Sequence, residues 1–138
     1  MKCRQSGNVF ILRFENGEEI VASLLDFCRE RKICGVVSAI GAVKDAEFSV
    51  FDVVTETYDD RTMKENCEIL SLNGFVSLLD GKPHAHLHIS LAGRDFKAFG
   101  GHLKKAVVSP TCEMAITVVD KLERKKDAAS GLVLLELD

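Results

Sequence analysis

The sequence predicts an α+β domain whose sheet is mainly antiparallel. One stretch near the N-terminus repeats its apolar residues at helical spacing, about seven runs have strand composition, and the turn residues Gly, Asn and Asp separate them. At 138 residues the chain fits one domain, 1–138, and such a length buries about two-thirds of the unfolded chain's surface, enough for a core without staples. A 46% hydrophobic share beside 28% charged residues excludes a disordered chain, and 10 Gly with 2 Pro exclude a low-complexity linker.

Val9 to Glu15 reads as the first strand, and Asn16-Gly17 turns the chain. Asn16 with Glu19 looks like a capping pair for a helix over Glu18 to Lys32. Ile20, Val21, Leu24, Leu25, Phe27 and Cys28 mark its packed side, while Arg29, Arg31 and Lys32 complement the negative end of the helix dipole. Gly35 to Val43 and Glu47 to Thr55 follow as two strands. Cys67 to Leu72 and Phe75 to Leu79 flank Asn73-Gly74, which suits a tight hairpin or a bulge in one bent strand. Asp80 to Pro83 reads as a turn. Thr111 to Leu122 and Leu132 to Leu137 are the closing strands, joined by the polar stretch Glu123 to Asp127.

The N-terminus carries no apolar run leading to a small-residue cleavage site, and no stretch reaches the roughly 18 apolar residues of a membrane span. Five cysteines without a Cys-x-x-Cys pair suit buried thiols in a reducing compartment. A cytoplasmic protein with no membrane partner is the expectation.

All four histidines, His84, His86, His88 and His102, fall within nineteen residues. From His84 to Ala92 the chain alternates, so His84, His86, His88 and Ser90 share one face while Ala85, Leu87, Ile89 and Leu91 supply packing on the other. Packing cannot explain the histidine face. Imidazoles two residues apart, about 6.6 Å at Cα, can converge on one ion. With a loop over Gly93-Arg94-Asp95, the returning strand sets His102 opposite His86, and His86, His88 and His102 supply three nitrogens to a metal. A one-residue change in that loop would turn His102 to the other face. Zinc is the first candidate, with Ni, Cu, Co or Fe compatible with the same donors. The competing reading is a surface cluster that takes up metal as a purification tag does.

Gly81-Lys82-Pro83-His84-Ala85-His86-Leu87-His88, continuing to Gly100-Gly101-His102-Leu103, resembles the plants-and-prokaryotes conserved (PPC, also PCC) domain family. Val36 to Gly41, Glu68 to Gly74, Thr111 to Glu113 and Gly131 to Leu135 are similar to it too, so the resemblance covers essentially the whole chain. It implies a PPC-like fold, a homotrimer, and metal on His86, His88 and His102. His84 lies outside the pattern, as a fourth ligand, a group supporting the ligands, or a bystander. Plant members carry AT-hooks beside this domain; no Arg-Gly-Arg-Pro-type segment occurs here, as in prokaryotic single-domain members described as predicted DNA-binding proteins.

Two functions compete. A metal-stabilised trimer would act in regulation, with DNA as a partner. Against DNA, the net charge is −3, the basic clusters Lys104-Lys105 and Arg124-Lys125-Lys126 are short, and one Tyr with no Trp offers little stacking. Alternatively, three histidines with an open fourth position would make a zinc-dependent hydrolase or lyase acting on a small molecule. Glu113 is then the candidate acid or base and Asp95 the next, each also readable as an ordinary solvated carboxylate. No nucleophile elbow, phosphate loop or dinucleotide motif supports another catalytic class.

Overall fold

The computed structural model describes residues 1–137. The chain begins with β1 (Lys2–Ser6), a strand that sequence composition alone does not mark, paired antiparallel with β2 (Val9–Glu15). Phe10, Leu12 and Phe14 of β2 are buried and the residues between them exposed, the alternation that made β2 readable.

Helix α1 (Ile20–Arg31) is shorter than the Glu18–Lys32 expectation, and its cap differs. Glu19, not Asn16, is the N-cap: its carboxylate accepts from Val21 N at 3.0 Å and Ala22 N at 2.6 Å. The same carboxylate accepts from Ala106 N at 3.0 Å, so the side chain that starts the helix also ties it to the sheet. Lys32, left-handed at φ 55°, ends the helix, and Ile33 N–H returns to the Cys28 carbonyl at 3.1 Å. Ile20, Leu24, Phe27 and Cys28 are buried against the sheet, with Phe27 edge-on to Phe10 at 5.3 Å.

The two strands expected over 35–55 are one, β3 (Cys34–Asp52). Asp45 takes a positive φ of 48° and the pairing shifts register there, so the polar Lys44-Asp45 pair bends the strand instead of ending it. After β4 (Thr57–Met63), paired with β3, comes β5 (Cys67–Leu79), which runs straight through Asn73-Gly74 and excludes the hairpin alternative. Asp80 and Gly81, both at positive φ, turn directly into β6 (Lys82–Ala92). β7 (Ala98–Val119) begins ahead of His102 and continues through the strand expected from Thr111. The stretch read as a polar linker is itself a strand, β8 (Glu123–Lys126), parallel to β5 and antiparallel to β9 (Val133–Glu136).

One nine-stranded, mostly antiparallel sheet results. β3 pairs with β5, β5 with β6, β6 with β7 and β7 with β3, so these four strands close on themselves. The core lies between this ring and α1, lined by residues such as Phe14, Leu72, Leu87, Leu91 and Met114. All five cysteines are free; Cys28, Cys34, Cys67 and Cys112 are buried and Cys3 is exposed. Burial pushes the Cys28 and Cys112 thiols up to about 12, which leaves neither as a thiolate at neutral pH. Among the described residues no helix is long and apolar enough to cross a membrane.

Candidate metal centre

β6 carries the alternation the sequence shows. Leu87, Ile89 and Leu91 are buried, while His86 is half-buried and His88 exposed on the other face. The connection to β7 is longer than the predicted three-residue loop. Ala92 pairs with Ala98, so residues 93–97 form the turn and His88, not His86, faces His102. The offset is two positions, which preserves side-chain parity, and His102 therefore stays on the histidine face. No register shift interrupts β6 and β7, so Gly100-Gly101 introduces no bulge there. The two glycines instead let strands approach: a Cβ on Gly100 would meet Ile89 O at 1.9 Å, and one on Gly101 would meet Ser49 O at 2.4 Å.

Three imidazoles converge as a result. Ring centroids lie 5.2 Å apart for His86 and His88, 5.1 Å for His86 and His102, and 5.7 Å for His88 and His102. One nitrogen from each lies within 4.8 Å of the others. His84 sits further along β6, opposite Ser77, and among the described residues no further His, Cys, Asp or Glu joins the three. Glu113 is exposed on β7 opposite Arg13 and Ile40, eleven residues along the strand from His102, and takes no part in the site. Asp95 accepts from Lys97 N in the β6–β7 turn and is likewise elsewhere.

The histidines line a cleft of about 730 Å³. Tyr58 and Phe51 of the β3–β4 hairpin form one wall, Tyr58 lying 6.3 Å from the His102 ring; Val133 and Leu134 of β9 form another. Arg124, absent from the sequence-level site because its neighbours are solvated basic residues, is 5% exposed and lines the same cleft. Its Nε donates to Ser77 Oγ at 2.9 Å and its Nη1 to Val133 O at 3.0 Å. Ser49, opposite His102 on β3, has the one buried side-chain oxygen or nitrogen among the described residues that lacks a hydrogen-bond partner.

Desolvation, then the Arg124 charge and the neighbouring imidazoles, lower His86 from its ordinary 6.5 to about 4. Desolvation followed by His88 also lowers His102. Both are neutral at pH 7, the form that binds a transition metal. The same shift sets a stability effect. Between 6.5 and about 4 the unfolded chain binds the proton that folded His86 refuses, so the metal-free protein loses stability as pH falls through that window. Denaturant unfolding in the presence of a chelator at pH 7, 5.5 and 4 measures the loss, and His86→Gln shrinks it; an unchanged pH slope in that variant contradicts the assignment.

The donor set fits a divalent transition metal: three imidazole nitrogens on two hydrogen-bonded strands. Comparison with known proteins agrees with the fold. A metal-containing protein from Archaeoglobus fulgidus is 35% identical, with a TM-score of 0.86 over 96% of each chain. A structure from Bacteroides thetaiotaomicron described as a "putative DNA binding protein" is 31% identical, with a TM-score of 0.93 over 98% of this chain and 96% of that one. A curated relative, the bifunctional protein GlmU of Synechococcus sp. (strain JA-3-3Ab), is 30% identical over 137 residues. The chain spans about a fifth of the length of the curated relatives it matches. The histidine-bearing β6–β7 ribbon, the preceding bent strands and the helix all fall within residues 1–120, which match the Plants and Prokaryotes Conserved (PCC) domain; the chain belongs to that family.

Proposed function

We propose that the protein holds one divalent transition-metal ion, zinc by preference, on His86, His88 and His102, and uses it to bind a small molecule in the adjoining cleft. The observation that carries this reading is the convergence of three imidazoles, with no fourth donor among the described residues, on the wall of an open cavity. A structural zinc is normally closed by four protein ligands, whereas three leave a position for a ligand. When bound, the ion would act as a Lewis acid on an oxygen donor placed in that position. No Asp or Glu lines the cleft among the described residues, so binding has more support than acid–base catalysis. Metal titration of the untagged protein against a chromophoric chelator tests this: one ion per chain supports it, and substoichiometric binding overturns it. The cobalt-substituted protein should show a visible spectrum that changes with azide, as an exchangeable position requires.

The homotrimer is part of the same proposal. Ile11 of β2, Val36 and Ile40 of β3 and Phe75 of β5 are exposed apolar residues on the sheet face away from the core, and a second copy would cover them. Light scattering should give three times the 15.2 kDa chain mass, and a monomer mass removes this element.

The description of the Bacteroides structure favours a second reading, association with DNA. The charges of this chain oppose it as a strong autonomous activity. Lys104 pairs with Asp60 at 2.6 Å, Lys105 with Glu47 at 3.9 Å, Lys125 with Glu136, and Arg124 is buried. Gel shifts with duplex DNA should show no complex at about 0.15 M salt. A complex that persists there establishes the DNA reading instead.

A further inference from the structure

The cleft holds a cation that the three-histidine site does not use. Arg124 is almost fully buried, yet no carboxylate of the described residues pairs with it. Two of its five N–H donors are engaged, one by the Ser77 hydroxyl and one by the Val133 carbonyl, both neutral acceptors. Among the described residues Nη2 has no hydrogen-bond partner, and Arg124 lines the cavity. Removing a guanidinium from water without an opposite charge is costly, and proteins rarely leave one so placed. Its charge reaches the histidines, where it contributes to lowering His84, His86 and His102.

The remaining lining fixes the ligand's chemistry. With no acidic side chain of the described residues in the cleft, a bound divalent ion and Arg124 leave a net positive chamber, which selects an anion. The remaining walls of the cleft are mainly apolar, from Val50, Phe51, Leu132 and Leu134, and suit a short hydrocarbon segment better than a hydrated inorganic ion. We propose that the cleft binds a small organic acid whose carboxylate docks on the free edge of Arg124 while a second oxygen of the same molecule reaches the metal position at His86, His88 and His102. The metal end of this proposal rests on the function proposed above; the Arg124 end does not. Ser77 and the β9 backbone are positioning groups, holding the guanidinium at the cleft wall.

The experiment uses 2-oxobutanoate as the probe, with inorganic phosphate and n-butanol as comparisons. Side-chain 15N NMR of the unaltered zinc-loaded protein, followed through the Arg124 Nε–H signal, should show a saturable shift with 2-oxobutanoate and none with n-butanol. Calorimetric affinity should fall at least about tenfold in Arg124→Met, and less in Arg124→Lys, while one zinc per chain is retained. Propionate, which lacks the second oxygen, should move the Arg124 signal in both zinc-loaded and zinc-free protein. Failure to bind zinc combined with a propionate shift on Arg124 overturns the metal reading and keeps the anion site. Zinc binding with no Arg124 shift for either acid, stronger binding of phosphate than of 2-oxobutanoate, or unchanged affinity in Arg124→Met overturns the organic-acid site. If both Arg124 variants fail to fold, the NMR measurement on the unaltered protein decides alone.

Discussion

Alanine at His86, His88 or His102 will each weaken zinc binding by more than about a hundredfold, whereas His84→Ala will change it by less than about threefold. Loss of a group that merely supports a metal ligand commonly costs ten- to a hundredfold, so loss of one of only three ligands should exceed that. The three rings converge from facing β6 and β7, and their nitrogens lie within 4.8 Å of one another. His84 shares the face and the cleft but not the cluster. Competition titration with a chelator, run beside far-UV circular dichroism to verify folding, measures the four variants. Equal losses at all four positions would mean a diffuse surface cluster of the purification-tag kind. A loss at His84 matching that at His86 would make it a fourth ligand and close the position that the cleft is proposed to supply.

The second large effect concerns glycine. Gly74→Ala and Gly100→Ala will each destabilise the fold by about 3 kcal/mol or more, beyond the usual range for an exposed substitution, because neighbouring backbone cannot move aside as a flexible side chain can. A Cβ on Gly74 would stand 2.0 Å from His86 O, and one on Gly100 would stand 1.9 Å from Ile89 O. Both glycines also hold positive φ, at 157° and 158°. They lie on β5 and β7, on opposite sides of β6, so the strand that bears the histidines is approached closely from both edges. Urea unfolding monitored by circular dichroism gives the loss. Zinc affinity should fall in the Gly100 variant even where the protein stays folded, since separating β6 from β7 moves His102 away from His88. A Gly100→Ala protein of unaltered stability would show that the two strands do not pack this closely.

These glycines show where sequence reading reaches and where it stops. Asn73-Gly74 is visible as an irregularity, but local chemistry fits a hairpin and a bent strand equally; β6 packing across Gly74 is what keeps β5 continuous. Lys44-Asp45 looked like a break because polar residues interrupt the apolar pattern, yet β7 pairs with β3 on both sides of it and carries the strand through. The polar run from Glu123 hid a strand because one of its members, Arg124, is buried and hydrogen-bonds Ser77, 47 residues earlier. Glu113 is a candidate on the expectation that a separate strand from Thr111 returns beside the site; that segment instead continues β7, eleven residues on from His102, and Glu113 is absent from the cleft.

Alternation of side chains is a property of any extended backbone, so the chain's own order sufficed to place His84, His86 and His88 on one face, and to mark β2 and the packed side of α1. An antiparallel return after Gly93-Arg94-Asp95 brought His102 to the same face, and the family motif pointed to it too. Which histidines oppose one another depended on how many residues the turn after β6 consumes, and that follows from pairing and burial along the whole ribbon instead of from the turn's own residues. The cleft and the buried Arg124 lie further still from local pattern. They arise where the β3–β4 hairpin, the β6–β7 ribbon and the β8–β9 pair meet, and no short-range signal encodes the meeting of segments as far apart as Ser49 and Leu134.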